Sequence, residues 1–135
     1  MKLLASPTSP YARKLRVVAH ELGLALPVED TAPMTDPAAL LAANPLGKVP
    51  TLVIESGEYL SGGPVIYEYL DSLHRRRRLF PAKGPQRFTT LRQAWMADGL
   101  FDTFVLLVIE TWLPRDQQRP DYIRRCFGKV VAILD

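Results

Sequence analysis

The stretch Asn44-Pro45-Leu46-Gly47-Lys48-Val49-Pro50 runs straight into the largely β-branched strand Thr51-Leu52-Val53-Ile54, and this junction constrains the fold more than any other part of the chain. Proline has no backbone N–H to give to a ladder, so it is unwelcome inside a central strand and tolerated at its first position. Pro50 at the mouth of that strand reads as a deliberate bend, with a cis Val49–Pro50 bond as the candidate geometry. Such a bend turns the N–H and C=O of Val49 outward. An extended, peptide-like ligand could then pair with them as an added strand, reading main chain rather than side chain. The alternative is a plain tight turn before a strand.

The residues before this junction read as strand, loop and helix. Met1 to Ala5 is a short strand, and Ser6-Pro7-Thr8-Ser9-Pro10 is a loop ending in an N-cap serine with proline at the first helical position. The helix runs from Tyr11 to Leu22, with Leu15, Val18, Ala19 and Leu22 at three- and four-residue spacing and Gly23 as its stop. A second strand is expected at Val28 to Thr31 and a short helix at Asp36 to Ala43, capped by Asp36 with Pro37 behind it. Glu55-Ser56-Gly57-Glu58 is a hairpin turn from Thr51–Ile54 into Tyr59-Leu60. Pro64 to Leu73 forms the next helix, with Val65, Ile66, Tyr69, Leu70 and Leu73 assigned to its inner face. This alternation of strands and helices describes an α/β layer.

Beyond it, Arg75 to Arg78 ends the helix as a cationic, solvated terminus favoured by the helix dipole. Phe88, Leu91, Ala94, Trp95, Phe101, Phe104, Val105 and Val108 mark one long amphipathic or buried helical segment, and the apolar run Phe104 to Ile109 suits a buried helix face. Asp121 to Asp135 begins another helix. Ile123, Phe127, Val130, Val131 and Leu134 keep its period to the final residues with no stop signal after them.

Composition closes several other routes. The chain has 135 residues, 47% apolar and 23% charged, as expected of one folded soluble domain plus part of another. No apolar run approaches the roughly eighteen residues of a membrane span, and no cleavable leader is read at the start. One cysteine, Cys126, cannot form an internal disulfide, which points to a reducing cytoplasm. His20, His74 and Cys126 make no ligand cluster, so no metal is expected. A net charge of +3 and one arginine run without interleaved aromatics do not make a nucleic-acid surface.

Ser6-Pro7-Thr8-Ser9-Pro10-Tyr11-Ala12-Arg13-Lys14, Asn44 to Leu52, and Val65-Ile66-Tyr67-Glu68-Tyr69-Leu70-Asp71 together resemble the bacterial glutathione S-transferase family, in its order and spacing. The resemblance covers roughly residues 1 to 80 and continues through Ala94 to Leu107. It implies a thioredoxin-like glutathione-binding domain at 1–80, a linker at 81–87, and at 88–135 the first helices of a truncated all-helical domain. That second domain is expected to be marginal, since members usually carry several more helices and the chain looks like about two thirds of a complete protein. The implied chemistry is attack by the sulfur of glutathione on an electrophilic small molecule, a detoxification reaction, by a homodimer in the full-length form.

The roles that this resemblance implies fall on a few residues. An unperturbed thiol is only about 3% ionised at pH 7, so the anion must be stabilised. Ser9 is the candidate, donating its hydroxyl proton to sulfur at the positive end of the first helix; the alternative is a plain N-cap, and Thr8 and Tyr11 are the nearest substitutes. Val49 and Pro50 would hold the cysteinyl backbone of glutathione, and Lys48 would meet its glycine carboxylate or simply face solvent. Asp98 and Asp102, four apart on one helix, could reach the ligand's amino group from the neighbouring subunit, or form a solvated or arginine-paired edge. Trp95 is a candidate wall of the electrophile pocket, or core.

The chain also departs from the family. Relatives typically place an acidic residue and then serine before the third helix to hold the γ-glutamyl end; Gly62 and Gly63 stand there here, followed by Pro64. Only the amides of Val65 and Ile66 are then expected to serve that anion. The reading is therefore a glutathione transferase using Ser9, with a catalytically weak or inactive transferase-fold binding or regulatory protein as the alternative.

Overall fold

The computed structural model describes residues 1–74 and 78–134. These form two compact units, Met1–Leu91 and a second that begins at Arg92. The first is a thioredoxin-like layer: β1 (Lys2–Ala5), α1 (Pro10–Glu21), β2 (Val28–Asp30), a 3-10 turn at Pro33–Thr35, α2 (Ala38–Ala43), β3 (Thr51–Val53), β4 (Tyr59–Ser61) and α3 (Gly63–Ser72). The sheet order is β2-β1-β3-β4, with β1 and β2 parallel and the other pairs antiparallel.

Period-two alternation along β1 divides its side chains between two covered faces. Leu4 packs with Leu40 and Ala43 of α2, while Leu3 and Ala5 point the other way and are fully buried. α1 and α3 pack against each other, burying Ala12, Leu15 and Ala19 of one and Ile66, Tyr67 and Leu70 of the other. Burying a leucine side chain is worth about 1.5–3 kcal/mol, so Leu3, Leu15, Leu40, Leu52 and Leu70 carry much of this unit.

Two expectations about this unit are corrected. Asp36 does not cap α2: it adopts φ +44 after the 3-10 turn, and Pro37 occupies the cap position without a side-chain bond. The inner face of α3 is Ile66, Tyr67, Leu70 and Asp71, while Val65 and Leu73 are exposed. The reason lies in the following segment. The Tyr67 ring stacks on Phe80 at 4.9 Å with Lys14 Nζ 4.5 Å above it, and the Leu79 N–H donates to the Asp71 carboxylate at 2.6 Å. Those contacts draw in the face one residue along from the one that hydropathy favours. Residues 75–77 of the arginine run lie outside the described residues.

α4 (Pro85–Trp112) starts inside the stretch expected to be a linker, its first turn held by Arg87, which donates to Glu68 at 2.6 Å and to the Pro81 carbonyl at 3.2 Å. Its apolar residues are not a buried face. Phe88, Trp95, Phe104, Leu106 and Ile109 are all exposed, and Glu110 is its one buried residue. In the second unit, Glu110 receives the backbone N–H, Nε and Nη2 of Arg119 at 2.8, 3.1 and 2.7 Å, tying α4 to the start of α5 (Pro120–Leu134). These hydrogen bonds hold the Glu110 carboxyl below the usual carboxylate range, against the opposing effect of burial. Tyr122 lies under Arg119 at 4.5 Å, and its hydroxyl is pushed up by a hydrogen bond with Cys126 and by burial. Among the described residues no helix is long and apolar enough to cross a membrane.

Candidate functional site

Strand register brings three loops to one end of the sheet. Leu4 pairs with Thr51, so the loop that follows Ala5 lies beside the turn that precedes β3; Thr51 pairs with Ser61, so the start of α3 joins them. The N-termini of α1 and α3 both emerge here, each carrying partial positive charge. Ser9, Lys48, Val49, Pro50, Gly62 and Gly63 are thereby gathered at one edge of the first unit.

Ser9 is the N-cap of α1, at φ −68 and ψ 119, with its Oγ accepting the Ala12 N–H at 3.2 Å. Its own N–H donates to the Ser6 carbonyl at 3.1 Å, which closes the loop beneath it. The hydroxyl is half-buried, and among the described residues its proton has no acceptor. Cap and donor are thus compatible, because a hydroxyl accepts and donates at once. Thr8 is exposed, shares a hydrogen bond with Ser6 at 3.1 Å and stands outside the cap.

The Val49–Pro50 bond is cis. Val49 turns its side chain toward Leu4, Leu40 and Ala43, and among the described residues neither its N–H nor its C=O has a hydrogen-bond partner. Pro50 is buried beneath this exposed backbone and Lys48 is solvent-facing. The turn is closed by Gly47 at φ +60, whose N–H donates to the Asn44 carbonyl at 2.8 Å. A Cβ there would sit 3.3 Å from both Asp36 Oδ1 and Leu41 Cδ2, so glycine suits the space as well as the dihedral.

At α3, Gly62 is the cap residue at φ +89 and ψ 124, with no side-chain cap bond. The Ile66 N–H is already given to the Gly62 carbonyl at 3.1 Å, which corrects the expectation that it serves an anion. The amides left at this terminus are those of Gly63 and Val65, since Pro64 has none.

Trp95, Asp98 and Asp102 lie on α4 in the second unit. Trp95 is 68% exposed and is not core; Asp98 is half-buried and Asp102 exposed. An open depression of about 440 Å³ along α1, lined by Arg13, Arg16, His20 and Leu24 among others, includes none of the three loops. No group of three or more potential metal ligands occurs among the described residues.

Residues 8–73 match the family model described as the glutathione S-transferase N-terminal domain. Over its full 135 residues the chain is 33% identical to the GST-like protein YibF of Escherichia coli K12, covering 67% of that protein. The chain belongs to the glutathione S-transferase family. A glutathione S-transferase from Methylobacillus flagellatus KT, solved with glutathione bound, superposes with a TM-score of 0.89 at 37% identity, over 98% of this chain and 66% of that one. A family member from Pseudomonas fluorescens Pf-5, also with bound glutathione, gives 0.87 at 35%, over 98% and 67%. The chain thus spans about two thirds of the length of these glutathione S-transferases. Its order of a thioredoxin-like unit followed by helices is theirs as well.

Two buried polar residues of the site escaped the sequence reading. Asn44 and Thr51 look like a turn residue and a strand residue, yet both sides of the Lys48 carbonyl rest on them. The one available signal was an Asn-Pro turn opening seven residues before a threonine that ends it.

Proposed function

We propose that this chain binds glutathione at the sheet edge formed by Ser9, Lys48, Val49, Pro50, Gly62 and Gly63, and that Ser9 activates the thiol for attack on an electrophilic small molecule. The observation that carries this reading is the pairing of an unengaged Ser9 hydroxyl proton at the α1 N-terminus with unpartnered Val49 backbone at the same end of the sheet. The two relatives solved with glutathione support the ligand class.

In the proposed step the glutathione thiol releases its proton to solvent, and the thiolate is held by the Ser9 O–H and the α1 dipole. A sulfur lone pair then forms the new C–S bond, while the bond to the leaving group breaks and its electron pair departs with that group. Val49 pairs with the cysteinyl backbone, Lys48 meets the glycine carboxylate, and the Gly63 and Val65 amides face the γ-glutamyl carboxylate. The domain doing this is residues 1–80, and the helical part that follows begins at Pro85 with α4. The full-length protein is proposed to act as a homodimer in a reducing cytoplasm.

A second reading, a transferase fold kept for binding or regulation, is favoured by one observation: the α3 terminus presents Gly62 and Gly63, with no side chain to grip the γ-glutamyl end. Calorimetric titration with glutathione at neutral pH, with the thiolate absorbance of the complex followed across pH, separates the two. Thiol activation by Ser9 requires Ser9→Ala to raise the bound thiol pKa by about one to two units, as loss of a hydrogen bond to a charged group implies, with a smaller change in affinity. An unchanged thiol pKa rejects that role and leaves the binding protein.

A further inference from the structure

The N–H of Val49 and the C=O of Lys48 belong to one planar peptide unit, and the fold grips its oxygen from two sides. Asn44 Nδ2 donates to the Lys48 carbonyl at 2.8 Å and Thr51 Oγ1 donates to it at 3.0 Å. The assignment of the Asn44 amide is fixed by its neighbours: the Leu46 N–H donates to the other atom at 3.1 Å, so that atom must be Oδ1. Asn44 Nδ2 also reaches Thr51 Oγ1 at 3.4 Å, closing a small ring of polar atoms.

This ring is expensive to build. Asn44 is 4% exposed and Thr51 fully buried, and polar groups in such places destabilise a fold unless their hydrogen bonds are satisfied. Valine would suit Thr51's place in a β-strand equally well. What the ring achieves is geometric. In a trans peptide the N–H points opposite to the C=O, so an oxygen drawn inward by two buried donors leaves the Val49 N–H directed outward. Two hydrogen bonds on that oxygen also polarise the amide and strengthen the N–H as a donor.

We propose that Asn44 and Thr51 are positioning residues that aim and polarise the Val49 N–H toward the peptide backbone of the thiol substrate. The inference rests on the reading of Val49 as the backbone-pairing site for glutathione. It sets affinity for the peptide part of the substrate, whereas Ser9 sets the ionisation of its sulfur.

The test is calorimetric titration of the 135-residue chain with glutathione, comparing Thr51→Val, which removes the hydroxyl at nearly constant volume, with Thr51→Ser, which retains it. Thr51→Val is expected to raise Kd about tenfold, the size of one lost hydrogen bond, and to leave the bound thiol titrating as in the unaltered chain. Thr51→Ser is expected to stay within about twofold. The Val49 amide resonance should move in ligand-free Thr51→Val and return in Thr51→Ser, and in the unaltered chain it should move on addition of glutathione. A folded Thr51→Val chain that binds as tightly as the unaltered one overturns the proposal. So does a Thr51→Ser chain as weak as Thr51→Val, which would make packing the cause. If Thr51→Val does not fold, a Val49 amide that is unmoved by glutathione in the unaltered chain overturns it by itself. An unaltered chain that binds no glutathione removes the functional reading, and this inference with it; intact binding in Thr51→Val removes the inference alone.

Discussion

The two units of this chain bury their apolar residues very differently. Of the fifteen buried apolar residues among those described, fourteen lie between Leu3 and Phe80, and only Cys126 belongs to the second unit. The second unit is no less apolar in sequence; Trp95, Phe104, Trp112, Phe127 and Leu134 simply remain exposed. In an α/β layer β1 is buried on both faces, so apolar residues at period two are covered whichever way they point. Helices of the second unit hold together instead through the end-on clasp of Glu110 and Arg119. Core formation thus depends on the number of neighbours an element has, and composition alone does not reveal that number.

The comparison breaks most readily at a single leucine. Leu15 is fully buried in the first unit, so Leu15→Ala is expected to cost about 2–5 kcal/mol. Phe104 is 50% exposed, and Phe104→Ala should cost about 0.5 kcal/mol or less. Chemical denaturation followed by tyrosine and tryptophan signals measures both. Comparable losses would mean that the second unit has a core of its own in solution.

Much of the first unit was legible because its signals are covalent and local. Ser9-Pro10 at one end of α1 and Gly23 at the other bracket the stripe of Leu15, Ala19 and Leu22. Pro50 announces its bend through the N–H it lacks. Asp36 was misread as a cap because the Asp-Pro pair looks like a helix start, whereas Asp36 ends the 3-10 turn of Pro33–Thr35 in the left-handed region and α2 begins only after Pro37. The inner face of α3 was misread because stacking of Tyr67 on Phe80 is a contact across thirteen positions, beyond any local period. The Asn44–Thr51 ring escaped for the same reason, and the exposure of α4 escaped because periodicity identifies an apolar surface without identifying what covers it.

A smaller effect sharpens the picture of the edge where the first unit presents its loops. Gly62 sits at φ +89, where a side chain is strained by about 1–3 kcal/mol, while Gly63, the first residue of α3, needs no positive φ. Gly63→Ser should therefore tighten glutathione binding by about tenfold, by returning one hydroxyl to the γ-glutamyl end. Adding Gly62→Asp should contribute less than its charge suggests, because strain offsets it. A titration in which Gly62→Asp alone gives the larger gain would show that the backbone there relaxes freely.

The smallest expected effect concerns acid, and it falls on the second unit. Arg119 holds the Glu110 carboxyl below its ordinary value, so folding favours the ionised form. A carboxyl depressed on folding contributes stability that is present above its unfolded pKa, near 4.5, and is lost as pH falls through the lower folded value. Tyr122 carries the opposite sign: its hydroxyl is raised on folding, so its contribution is complete below an ordinary tyrosine pKa near 10 and lost as pH rises through the folded value. Hydrogen exchange at the amides of α5 should accordingly quicken below about pH 4.5, before the amides of β1 and β3 respond. Glu110→Gln should keep the helix but remove that acid dependence, since its amide does not titrate. If α5 and the central strands loosen at the same pH in both proteins, the Glu110–Arg119 clasp does not govern the stability of the second unit, and the contrast between the units rests on apolar burial alone.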